Sequence, residues 1–134
     1  MDINNITGQI IDAAMKVHTA LGPGLLESAY EACLAHELKK RGFSIERQKE
    51  MPVEYDGILI DIGYRLDLLV NDKVVVELKA VSEVAPIHEA QILSYLKLGK
   101  KPIGLLINFN VQRLKDGIKR FCLLYTSPSP RDRG

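Results

Sequence analysis

Tyr64-Arg65-Leu66-Asp67-Leu68-Leu69-Val70, the turn Asn71-Asp72-Lys73 and the run Val74-Val75-Val76-Glu77-Leu78-Lys79 decide how this chain is read. Two largely apolar runs joined by a short polar turn predict a β-hairpin. Residues two apart on a strand share a face, so Glu77 and Lys79 lie with Val75, while Val74, Val76 and Leu78 take the other side. With the turn at Asn71-Asp72-Lys73, Val70 faces Val74, Leu68 faces Val76 and Leu66 faces Leu78, which makes one face wholly apolar. The other face then sets Leu69 against Val75, Asp67 against Glu77 and Arg65 against Lys79. A slip of one residue puts Leu66 opposite Glu77 and Val70 opposite Lys73 and destroys the apolar face, so the first register is expected.

That register opposes two carboxylates with Cβ atoms roughly 5 Å apart, which is unfavourable for like charges. Protonation of one acid relieves the repulsion, and so does a bound cation; hard divalent ions favour carboxylate and carbonyl oxygens. Lys79, on the same face, is a compact positive charge suited to holding a water or a phosphate oxygen. The plainer alternative is a solvated strand face that carries a Glu and a Lys. The apolar neighbours of Glu77 favour chemistry, because charged residues seldom occupy such a strand as filler.

Outward from the hairpin the period is helical at one end. Asn4 and Asn5 offer caps for a helix whose apolar residues fall at Ile6, Ile10, Ala13, Val17 and Leu21, and Gly22-Pro23-Gly24 ends it. A second helix is predicted over 26–41, with Tyr30, Cys33, Leu34 and Leu38 on it and Gly42 at its end. Strands are expected over 43–49 and 52–55, with a hairpin turn at Asp56-Gly57 followed by the alternating Ile58, Ile60, Ile62 and Tyr64. Pro86 starts a third helix that closes at Gly99. The apolar run 103–108 suits a strand buried on both faces, and 118–124 a last edge strand. Helices, antiparallel strands, then a helix and a buried strand predict an α/β protein of the α+β kind, a mixed sheet covered by helices, as one domain over 1–124. Residues 125–134, with two Ser-Pro steps and no apolar residue after Tyr125, are expected to be a disordered extension that resembles cloning sequence more than native protein.

Composition narrows the function. Hydrophobic residues make up 46% and charged residues 26%, which is globular, and the formal charge of +1 gives the whole molecule no strong field for polyanions. Nucleic-acid contacts would have to come from local clusters such as Lys39-Lys40-Arg41 or Lys97 with Lys100-Lys101, each of which also reads as a solvated helix end complementing the dipole. Cys33 and Cys122 form no CxxC pair, and three histidines make a structural zinc site a poor fit. No apolar stretch is long enough for a membrane span, so a soluble, reduced, cytoplasmic protein is expected.

Asp67 followed by Glu77-Leu78-Lys79 resembles the motif of the PD-(D/E)XK nuclease superfamily, and Gly24-Leu25-Leu26-Glu27-Ser28-Ala29-Tyr30 resembles the signature of the GxxExxY family within it. The resemblance runs from about residue 3 to residue 124 and departs at Leu66, where the motif has proline. It implies a restriction-endonuclease-like core of order αβββαβ with an extra N-terminal helix, binding Mg²⁺ or Mn²⁺. Glu27, Asp67, Glu77 and the backbone carbonyl of Leu78 would be the metal ligands, and Lys79 the catalytic lysine beside Glu27, Asp67 and Glu77. Gln91 and Tyr95, which share a helix face, resemble the QxxxY motif of RecB-like nucleases. Substrate contacts are expected from Tyr30, Gln91, Tyr95 and Lys101, although packing suits Tyr30 better and an ordinary amphipathic face explains Gln91 and Tyr95 equally. His88, a turn before Gln91, stays outside the catalytic set. The expected function is metal-dependent hydrolysis of DNA phosphodiester bonds. The alternative is a catalytically silent module that binds nucleic acid or protein, with a homodimer or protein partner as a further expectation.

Overall fold

Helix α1 (Ile3–Leu21) begins at Asp2, whose carboxylate accepts the Asn5 backbone N–H at 2.9 Å in this computed structural model, which describes residues 2–123. The cap therefore falls two residues before the Asn4-Asn5 pair expected from sequence, and both asparagines lie in the first turn. The four-residue spacing buries Ile6, Ile10, Ala13 and Val17, while Leu21 at the helix end stays exposed. Helix α2 (Glu27–Lys40) buries Tyr30, Leu34 and Leu38 and runs out at Gly42, whose φ of 89° only glycine adopts freely.

Five strands form one sheet in the order β1-β4-β5-β6-β7: β1 (Ile45–Glu50), β4 (Arg65–Val70), β5 (Val74–Lys79), β6 (Ile103–Asn108) and β7 (Ile118–Cys122). Only β5 and β6 run parallel, because the segment between them is the crossover helix α3 (Pro86–Gly99); the other neighbours are antiparallel. Helices α1 and α2 cover one face of the sheet, over Leu68, Val70, Val74, Val76 and Leu78, and α3 covers the other, over Leu66, Leu69, Val75 and Leu106. Burial on both faces is why β6 is apolar from Ile103 to Ile107 and wholly buried. The mixed sheet, the α2-β1-β4-β5-α3-β6 order and the extra helix α1 are the architecture expected from sequence. The expected tail 125–134, and Leu124 at the end of the last strand, lie outside the described residues.

Three local expectations change. The turn at Asp56-Gly57 forms with both residues at positive φ, but the hairpin it joins, β2 (Val53–Tyr55) with β3 (Ile58–Ile60), is a separate two-stranded sheet. The strand expected along Ile58, Ile60, Ile62 and Tyr64 stops at Ile60, and all four residues are at least 40% exposed, with Tyr64 standing beside Tyr95 of α3. Helix α3 closes at Gly99 as expected, and the left-handed residue that follows it is Lys100 (φ 54°). A Cβ at Gly99 would lie 2.9 Å from Met51 Cε, the end of a flexible side chain that can turn aside. The third change concerns the β4–β5 hairpin and shapes the site.

Candidate active site

The turn Asn71-Asp72-Lys73 sets the predicted register, and Val70↔Val74, Leu69↔Val75 and Leu68↔Val76 pair as expected. Beyond Leu68 the strands part. Asp67 and Glu77 do not exchange backbone hydrogen bonds; each side chain reaches across to the other strand's backbone instead. The Asp67 N–H donates to Glu77 Oε2 at 3.0 Å, and the Leu78 N–H donates to Asp67 Oδ2 at 2.8 Å. Each carboxylate thus accepts one backbone N–H from the opposite strand. The parting also breaks the alternation of β4: Leu66 joins Leu69 and Val75 in the core under α3 rather than facing Leu78 in the core under α1 and α2.

Burial dominates the electrostatics. Glu77 is 6% exposed, and desolvation, reinforced by the Asp67 charge, pushes its pKa from 4.5 up to about 8. The Asp67 N–H and the Lys79 ammonium act in the opposite direction, and the Glu27 charge adds a smaller upward push. Asp67 is also raised, first by desolvation, against the hydrogen bonds from Leu78 and Gln48, with the charges of Glu31 and Glu27 adding to the rise. Glu27, the first residue of α2, is exposed, and its field reaches both acids. Lys79 is half-buried and, among the described residues, has no carboxylate as a direct partner. Its carbonyl accepts the Phe109 N–H at 2.9 Å, so the end of β5 is fixed to β6.

The remaining expected residues separate. Tyr95 is buried; its pKa is raised by burial and then by the Glu77 charge, so it lies on the acids' side of the sheet. Half-buried Gln91 shares with Tyr95 and Tyr64 the lining of a shallow hollow on the α3 side. Tyr30 leaves the substrate-binding set. It is fully buried and stacked on Phe109 at 4.4 Å; its hydroxyl donates to the Gly22 carbonyl at 2.6 Å and accepts the Leu25 N–H at 3.1 Å. It clamps the Gly22-Pro23-Gly24 turn that delivers Glu27. Tyr30→Phe, which orphans both backbone groups, is expected to destabilise the protein by about 1–3 kcal/mol in a denaturant titration while Glu27 keeps its sequence position. Lys101 stands apart from the acids. Its ammonium is tied to Asp72 at 2.9 Å, at the turn end of the hairpin, about 16 Å along β5 from Lys79. His88 caps α3, its Nδ1 accepting the Ala85 N–H.

Four residues not singled out from sequence belong to the surroundings. Glu31, one turn after Glu27 and buried, binds Arg47 Nε at 3.0 Å and Gln48 Nε2 at 2.6 Å, and Gln48 in turn approaches Asp67 Oδ1 at 3.3 Å. The four-residue spacing of Glu27 and Glu31 is a signal that could have found Glu31. Asn108, at the end of β6, latches both backbone groups of Val81 just beyond Lys79.

The donor set suits a hard divalent cation, because buried Glu77 and half-buried Asp67 are both held above the usual carboxylate range, Glu77 partly by the Asp67 charge, and a positive charge between them relieves this. The geometry supplies a pair rather than a closed cage: among the described residues no group of three or more His, Cys, Asp or Glu side chains stands close enough together to hold an ion.

No curated protein and no solved structure matches the chain. A family model does: that of the PD-(D/E)XK nuclease superfamily, over residues 4–121. The match spans the sheet, its covering helices and the paired acids with their lysine, and on that extent the chain belongs to the PD-(D/E)XK nuclease superfamily.

Proposed function

We propose that the protein is a metal-dependent nuclease that hydrolyses DNA phosphodiester bonds, and that within its superfamily it falls in the GxxExxY group through Gly24, Glu27 and Tyr30. The observation that carries this reading is the exchange of carboxylates across the parted hairpin, with Lys79 two residues beyond Glu77 on the same strand. Asp67, Glu77 and the Leu78 carbonyl would hold Mg²⁺ or Mn²⁺, with Glu27 contributing from the start of α2. Such an ion supplies charge to polarise the phosphate and lowers the pKa of a water. Lys79 holds the attacking oxygen and offsets the negative charge that grows on the phosphoryl group. Gln91 with Tyr95 flanks the approach from α3. Among the described residues no helix is long and apolar enough to cross a membrane, and both cysteines are free; we place the protein in the cytoplasm.

A catalytically silent binding module is favoured by one observation, the occupation of Asp67 and Glu77 oxygens by backbone N–H groups without a third acid alongside. Incubation of the purified chain with DNA and with RNA, in Mg²⁺ or Mn²⁺ and then in a chelator, separates the readings. Cleavage of DNA that needs the ion is expected. Cleavage that survives the chelator sinks the nuclease proposal, and binding without cleavage supports the silent module.

A further inference from the structure

Gln48 lies inside β1 between two residues that pair normally with β4, Arg47 with Leu68 and Lys49 with Leu66, yet its own φ is +50°. A non-glycine residue in this region within a strand is strained, and such strain persists only where the surroundings impose it. Here the conformation aims the amide of this exposed residue at Glu31 and Asp67. Gln48 Nε2 donates to buried Glu31 at 2.6 Å and to Asp67 Oδ1 at 3.3 Å, and Arg47 Nε holds the other Glu31 oxygen at 3.0 Å. Asp67 Oδ2 is held separately by the Leu78 N–H. One carboxylate is thereby fixed from both sides, by β5 backbone and by a side chain from β1.

We infer that Gln48 is a positioning residue: anchored by Glu31, it sets the orientation of the Asp67 carboxylate and so the affinity of the acid pair for a divalent ion. This rests on the metal-binding part of the proposed function and names a residue outside the expected ligand set. Arg47 neutralises Glu31, so Glu31 serves as the anchor rather than as another ligand.

Glycine at position 48 tells positioning from structure. Gln48→Gly removes the strain and the amide together, so a purely structural glutamine and a positioning one have opposite signatures. The expected result is a melting temperature equal to or above wild type, with Mn²⁺ affinity by calorimetry weakened about tenfold or more, the usual effect of losing an orienting partner. Gln48→Asn tolerates the same backbone region but is one methylene short, and is expected to bind Mn²⁺ as weakly as the glycine variant. Mn²⁺ affinity within about twofold of wild type in both variants, or a lower melting temperature for glycine, overturns the inference. A wild-type chain that binds Mn²⁺ but cleaves no DNA defeats the nuclease proposal and leaves the role of Gln48 to be read from the Mn²⁺ titration. A wild-type chain that binds no Mn²⁺ overturns both.

Discussion

Glu77→Ala is expected to lower metal-dependent DNA cleavage by about 10³-fold or more, equivalent to ~4 kcal/mol of transition-state stabilisation. The size follows from what the side chain does. It is the most deeply buried acid of the site, its Oε2 holds the Asp67 N–H, and with Asp67 it forms the donor pair proposed for the ion. Removal leaves a buried N–H without a partner, so alanine is also expected to destabilise the fold by about 1–3 kcal/mol. Glu77→Gln separates the two effects. The glutamine carbonyl still accepts the Asp67 N–H and carries no charge to desolvate, so the melting temperature of the metal-free protein is expected to match or exceed wild type while cleavage falls as far as in the alanine variant. Initial-rate cleavage with Mn²⁺, beside thermal melts in chelator, tests both. A glutamine variant that cleaves at the wild-type rate removes Glu77 from the reaction.

The second large effect is in pH. Glu77 titrates at 4.5 when unfolded and at about 8 when folded, so between those values the folded state holds a proton that the unfolded state has released. Stability of the metal-free protein is therefore expected to fall as pH rises through this window, by about 1.4 kcal/mol per pH unit where one full proton separates the states. Asp67, also raised, acts in the same direction. Most carboxylates in folded proteins have the opposite sign, which makes the trend diagnostic. A divalent ion bound by the pair competes with the proton, so Mn²⁺ affinity is expected to rise with pH up to about 8, and added Mn²⁺ to restore the stability lost at the alkaline end. Chemical denaturation at several pH values, with chelator and with Mn²⁺, measures both slopes. Metal-free stability that rises from pH 5 to pH 8 contradicts the burial of Glu77 as a neutral acid.

The hairpin was legible because apolar runs, turn residues and a two-residue period all constrain one register, and a slip would expose an entire face. The pairing of Leu68, Leu69 and Val70 with Val76, Val75 and Val74 follows from that pattern alone. Period, capping and breaker residues likewise carried α1, α2, α3 and the buried β6, with the first cap falling at Asp2 rather than at Asn4 or Asn5, where nearby residues compete for the same role. For Tyr30, expected both as a substrate contact and, more readily, as a packing residue, the structure shows packing. Motif neighbourhood locates a residue along the chain and says nothing of which neighbour its polar atom finds.

The sequence by itself determined a mixed sheet between helices, with Asp67, Glu77 and Lys79 drawn together, because local period and burial leave few alternatives. Only the tertiary structure decided that the strands part at the acids, that Leu66 changes core, and that Gln48 bends out of strand geometry to reach Asp67 and Glu31. Those outcomes depend on competition between a backbone ladder and buried side-chain acceptors for the same N–H groups. That competition is settled by contacts between residues as far apart as 31 and 67, beyond the reach of any local pattern.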